Sequence, residues 1–223
     1  MMYFHLTPAA ETLFKDHYPI ESAPTTLPQD GLNWWVDVRL IRHAATGQAV
    51  PTCLMVEDIS RYALIFTHTG PNFVEQLPSV LTSRLATHMA LLLGVNESTT
   101  ADEAATLVDL YQRLAQRLVD ALHFCHSTPD ETVIETLDEL AGELAEQPHL
   151  PESLAEMIEA EVHANQLIRS IRDDSVMPHE QFAQLMGLYV TSNLMNDKEA
   201  EQFLNRLGES VGIANAPLTP KAD

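Results

Sequence analysis

The segment Leu32-Asn-Trp-Trp-Val-Asp-Val-Arg-Leu-Ile-Arg42 decides the fold class. Trp34, Val36, Val38 and Leu40 alternate with Trp35, Asp37, Arg39 and Ile41. A period of two puts successive side chains on opposite faces, so this is a strand. Downstream, Ala44–Gln48 contains Thr46-Gly47 and reads as a turn, and Val50–Glu57 is an apolar run of strand length, suggesting burial on both faces. Asp58–Ser60 is a tight turn, and Arg61–His68 alternates again. Connections this short join antiparallel neighbours, so the three strands form a meander. Upstream, Met2–Leu6 is a short aromatic strand, Ala9–His17 a brief helix, and Pro19–Gly31, with Pro19, Pro24 and Pro28, a loop.

Beyond Thr69-Gly70-Pro71 the period changes to that of helices. The first long helix is expected near 75–93, with the stripe Leu77, Leu81, Leu85, His88 and Leu92. A second follows over 101–125, capped by Thr100 with Glu103, its stripe Leu107, Tyr111, Leu114, Leu118 and Leu122. Thr128-Pro129-Asp130-Glu131 opens a third. Others are expected near 152–172, 179–194 and 197–211. The fold class is therefore α+β: a small antiparallel meander of three to four strands packed on a majority of about six helices. Residues 1–95 form the sheet region with the first long helix. Residues 96–215 form a helical region continuous with it, and 216–223 a frayed tail.

The segment Met2–Leu6 ending at Thr7, the strand Trp34-Trp35-Val36-Asp37, an apolar strand, and Glu57-Asp58-x-x-Arg61-Tyr62 opening another strand resemble a bacterial domain family of unknown function. Thr136-Leu137-Asp138-Glu139 stands where that family starts a helix with Asn-Asp, and Ala164-Asn165 where it carries Leu-Asn. The resemblance covers roughly residues 2–171. It implies a fold unit and supplies no activity.

Charge is the strongest functional signal. The chain has 223 residues, with 32 Asp and Glu against 12 Lys and Arg, a formal net charge of -20. Between Arg117 and Arg169 no Lys or Arg occurs. Such a surface repels nucleic-acid phosphates and anionic membranes and attracts basic protein surfaces. No apolar run is long enough to span a bilayer, and the first residues lack a signal peptide. Together these point to a cytoplasmic protein with no membrane and no direct nucleic-acid contact. Cys53 and Cys125 are then free thiols.

The leading expectation is an interaction or regulatory protein whose acidic helices bind a basic protein. Its surface is assigned to Glu135, Asp138, Glu139, Glu143, Glu152, Glu156 and Glu159. Of Trp34 and Trp35, one belongs to the core, and the other is covered by a helix or anchors a partner. His123-Phe124-Cys125-His126 carries metal-ligating atoms one helical turn apart, but no second pair lies at zinc spacing. Those residues equally describe a helix end, so no metal and no cofactor is expected. Cys125 as a nucleophile would need an activating histidine and an orienting group. Asn165 falls on an apolar stripe and is expected to bond to backbone. No P-loop, dinucleotide fingerprint, Gly-x-Ser-x-Gly elbow or zincin helix occurs. Three alternatives stand beside the leading one: an enzyme with a site in the sheet–helix cleft, a DNA mimic that inhibits a nucleic-acid-binding protein, and a homodimer.

Overall fold

The computed structural model describes residues 2–24, 31–70, 72–93, 99–119, 122–127, 129, 131–171 and 174–211. The elements in chain order are β1 (Met2–Leu6), α1 (Pro8–Phe14), β2 (Ile20–Ser22), β3 (Leu32–Arg42), β4 (Ala49–Glu57), β5 (Ala63–Thr67), α2 (Phe73–Leu92), α3 (Ala101–Val119), β6 (Leu122–His126), α4 (Glu131–Glu146), α5 (Leu154–Gln166), β7 (Arg169–Ile171), β8 (Asp174–Val176), α6 (Pro178–Leu194) and α7 (Asp197–Val211).

The α+β class holds, and the expected meander is present. β3 pairs antiparallel with β4, from Trp34 opposite Glu57 to Arg42 opposite Ala49, and β4 pairs antiparallel with β5. It is only part of the sheet, however. Six strands lie in the order β2-β6-β1-β3-β4-β5, and β1 is parallel to both β3 and β6, as β2 is to β6. Strands β7 and β8 form a separate hairpin. The α-helical expectation over 101–125 is corrected at its end. Leu122 continues the spacing of Leu118, so the helical stripe reads straight into β6, where the sheet takes over the chain. The fourth expected helix also stops early, at Gln166, because Leu167 turns extended and leads into β7. In the proline-bearing loop, Ile20–Ser22 is an edge strand. Thr128 and the tail 216–223 lie outside the described residues, as do the side chains of Glu103, Leu107 and Leu118.

Period-two patterning builds two cores. One face of the sheet presents Met2, Phe4, Leu6, Leu32, Trp34, Val36, Cys53, Met55, Leu64, Phe66 and Phe124. Helices α1, α2, α3, α6 and α7 cover it through residues such as Phe14, Leu81, Leu114, Phe182 and Phe203. The other face presents Ile41, Val50, Leu54, Val56, Ala63 and Ile65 to Val133, Leu137, Leu140 and Leu144 of α4 and Ala160 and Ala164 of α5. Trp34 is fully buried, with its ring 5.6 Å edge-on from that of Phe182. Truncating a residue so placed costs about 3–5 kcal/mol.

The β4–β5 connection is the tightest local structure. Arg61 sits at φ 58, a left-handed conformation that a non-glycine residue holds only when its surroundings fix it. Here they do. One carboxylate oxygen of buried Glu57 accepts from the Ile59 N–H (3.0 Å), the Ser60 N–H (2.8 Å) and the Ser60 hydroxyl (2.7 Å). Arg61 donates to the Asp58 carbonyl and to Thr132 Oγ1 in the first turn of α4 (2.8 Å), and the Trp35 indole N–H donates to Asp58 (2.7 Å). The Glu57-Asp58-x-x-Arg61-Tyr62 motif thus joins the sheet to the helix layer on its second face.

Candidate functional site

Helix α4 carries six acids and no base along Glu131-Thr-Val-Ile-Glu-Thr-Leu-Asp-Glu-Leu-Ala-Gly-Glu-Leu-Ala-Glu146. Its buried positions Val133, Thr136, Leu137, Leu140 and Leu144 face the sheet and turn the acids outward. Three of them are met from beneath. Arg39 on β3 bonds Asp138 at 2.5 Å while also holding Asp37 at 2.5 Å. Arg169, buried at the start of β7, bonds Glu139 at 2.8 Å and Glu143 at 2.8 Å. Glu131, Glu135 and Glu146 form no ion pair with any described residue.

On α5 the acids divide again. Glu156 closes a capping box: it accepts from the Ser153 N–H (2.9 Å) and the Glu152 N–H (2.8 Å), while Ser153 Oγ accepts from the Glu156 N–H (3.2 Å). Those bonds, led by that from Ser153, hold its carboxyl below the usual carboxylate range. Glu152 and Glu159 are exposed and form no ion pair with described residues. Of the seven acids assigned from sequence, Asp138, Glu139, Glu143 and Glu156 have internal partners, and Glu135, Glu152 and Glu159 remain turned to solvent.

The inner side of α5 is charged as well. Glu161 is fully buried on the stripe facing β5. One carboxylate oxygen accepts from the Ile65 N–H (2.6 Å) and from Arg84 of α2 (2.7 Å). The other accepts from Nε2 of His88 (2.6 Å). A carboxylate only accepts, so His88 carries a proton on Nε2, and its Nδ1 lies 2.7 Å from the Tyr62 hydroxyl. Burial, and then the charge of Glu161, push the Tyr62 hydroxyl pKa up, which keeps it protonated. One turn along, Asn165 behaves like a peptide unit: its Oδ1 accepts from the Ala63 N–H (2.6 Å) and its Nδ2 donates to the Ala63 carbonyl (2.9 Å). Together Glu161 and Asn165 seal the outer edge of β5, which would otherwise offer unpaired backbone to another chain.

The two tryptophans separate as the strand period requires. Trp34 is core, and Trp35 is half-buried against the second core, its ring 4.9 Å from that of His5. The metal-ligating candidates are corrected in their geometry. His123, Cys125 and His126 stand on strand β6, not on a helix, so His123 and Cys125 share one face and His126 points to the other. His123 lies 3.7 Å from Glu21, and His126 lies 2.8 Å from Glu11. Among the described residues no group of three or more His, Cys, Asp or Glu side chains is placed to hold a metal ion. Burial, followed by the charge of Glu21, pushes the Cys125 thiol up, so it is no ready thiolate. Cys53 is a buried free thiol pushed up by burial and then by the charge of Asp37. Among the described residues no helix is long and apolar enough to cross a membrane.

Comparison with known proteins gives no match to a family model, to a curated protein or to a solved structure.

Proposed function

We propose that this is an interaction or regulatory protein whose outward α4–α5 surface receives a basic surface of a protein partner. The observation that supports this reading is the like-charge ladder on α4. Glu131, Glu135, Glu139 and Glu143 repeat every four residues, which places each carboxylate beside the next. Each such pair weakens a helix by roughly 0.2–0.5 kcal/mol. Arg169 relieves Glu139 and Glu143. Glu131 has only the N-terminus of its own helix, and nothing described relieves Glu135 or Glu146. Local rules broken without a compensating contact mark positions held for use rather than for stability. A partner bringing Lys or Arg would supply the missing charge, and steering by the net charge of -20 would speed its arrival.

The variant that tests this is Glu131→Gln/Glu135→Gln/Glu146→Gln/Glu159→Gln, which leaves every ion pair among the described residues intact. Tagged wild type should capture a basic protein from its own lysate and release it at high salt. The variant should capture little while melting at the same temperature or slightly higher. Equal capture by both proteins overturns the proposal. If the captured partner binds nucleic acid and nucleic acid displaces it, the surface acts by charge mimicry.

A further inference from the structure

Two strands at the centre of the parallel half send the chain to opposite faces of the sheet. β1 leads into α1, whose Ala10 and Phe14 join the first core. β6, its parallel neighbour, leads into α4, whose Val133 and Leu137 join the second. The carboxyl ends of such a strand pair form a topological switch point, the place where open sheets with helices on both faces bind their ligands. The residues there are the last of β1 and the first beyond β6.

Ser127, the residue after β6, is half-buried, and its Oγ lies 2.8 Å from Nδ1 of His5 on β1. His5 is 3% exposed, and its Nε2 has no partner within hydrogen-bond geometry. Asn33 on β3 is also 3% exposed, and its Oδ1 is likewise without a partner. These two orphans complement each other. If the Ser127 hydroxyl donates to Nδ1, the imidazole proton sits on Nε2, and the nearby acceptor is Asn33, whose side chain interacts with His5. Burial lowers the His5 pKa, against the nearby Asn33 side chain and the charge of Asp58, which favours the neutral ring a base requires. Trp35 flanks the ring and Cys125 lies beside it in register.

We infer that Ser127, His5 and Asn33 form a nucleophile–base–orienter relay at the β1–β6 switch point, acting on activated acyl compounds such as small esters or thioesters. Ser127 Oγ attacks the acyl carbon while its proton passes to Nδ1 of His5. Collapse of the tetrahedral adduct expels an alkoxide or thiolate, which takes that proton from His5. Water, deprotonated by the same nitrogen, then attacks the acyl–Ser127 ester; as the C–Oγ bond breaks, His5 returns that proton to Ser127 Oγ and the carboxylic acid leaves. Asn33 is a positioning residue: it holds the tautomer that leaves Nδ1 free. The site is independent of the acidic helix surface.

The experiment treats the full chain with a fluorophosphonate, in which Ser Oγ displaces fluoride from phosphorus, and maps the adduct by peptide mass spectrometry. The expected result is a single adduct on Ser127, absent from Ser127→Ala and slowed about 100-fold or more in His5→Gln. Asn33→Ala should slow labelling, and Asn33→Asp, which keeps the acceptor, should restore it. Hydrolysis of p-nitrophenyl acetate should follow the same order. No adduct on wild type, an adduct elsewhere than Ser127, or undiminished labelling of folded His5→Gln overturns the inference. The wild-type map alone decides it should a variant fail to fold.

Discussion

Neutralising Glu161 tests whether the buried charge cluster holds α5 to the sheet. Glu161→Gln keeps the side-chain shape and the acceptor for Ile65 N–H. It also keeps a polar link to His88, because the Gln amide can donate to Nε2 while Nδ1–H turns to the Tyr62 oxygen. The loss falls on Arg84. That side chain is 2% exposed, its Nε makes no bond among the described residues, and its remaining neighbours are the sulfur of Met157 at 3.7 Å and the face of Phe66 at 5.2 Å. Without the carboxylate a full positive charge stays in an apolar setting. Breaking a buried pair this way costs about 3–5 kcal/mol.

The companion substitution, Arg84→Met, strands the carboxylate instead and should cost a similar amount. The double variant leaves neither charge, and its loss should fall short of the sum of the singles by about 2–3 kcal/mol. Urea denaturation read by tryptophan fluorescence gives all four free energies, since Trp34 and Trp35 both lie in the sheet that unfolds. A loss below about 1 kcal/mol for Glu161→Gln, or simple additivity of the two singles, refutes the reasoning.

Two further outcomes follow from other sites. Burial, against bonds from Ser60 and Ile59, raises the Glu57 carboxyl above its ordinary value of 4.5. The folded state therefore binds that proton more tightly than the unfolded chain, so its stabilising contribution is full below the ordinary value and is lost as pH rises through the raised one. Glu57→Gln should remove that downward slope just above 4.5 in a melting-temperature series; parallel curves would disprove it. Gly142 lies exposed inside α4, and an added Cβ there meets no atom within 4 Å. Gly142→Ala should stabilise by about 0.5–1 kcal/mol, measured by urea midpoint, and a loss of stability would show that the position is constrained by something else.

β3 and the long helices were legible because each carries its own period over many residues, and β4 and β5 because turn residues bound them on both sides. β6 was not. Leu122 sits where the preceding helix would place its next apolar residue, and no Gly or Pro separates the two elements in sequence. What makes it a strand is burial between β1 and β2, whose partners lie more than a hundred residues away in sequence. The same physics hid the parallel pairing: short local connections announce antiparallel neighbours, whereas β1 meets β3 and β6 only through long crossovers.

The charged sites divide by the same principle. An acidic helix face is a local property, so Glu135, Glu152 and Glu159 could be assigned from spacing alone. Which acids are engaged depends on where Arg39 and Arg169 arrive, and that is set by the sheet register and by the end of α5. Glu161 shows the sharper case. It falls four residues before Asn165 on an apolar stripe, a pattern that already placed Asn165 in the interior and bonded to backbone. A carboxylate one turn away on that stripe must also be buried, and a buried carboxylate needs cations and donors. Arg84 and His88, four residues apart on the buried face of α2, are the pair that supplies them. Matching two helices by the charges on their apolar faces would have joined α5 to α2 before any coordinates were known. His5 and Ser127 offer no such route, because a lone histidine on a five-residue strand has no face pattern to contradict, and only the switch of the chain from one side of the sheet to the other brings the serine to it.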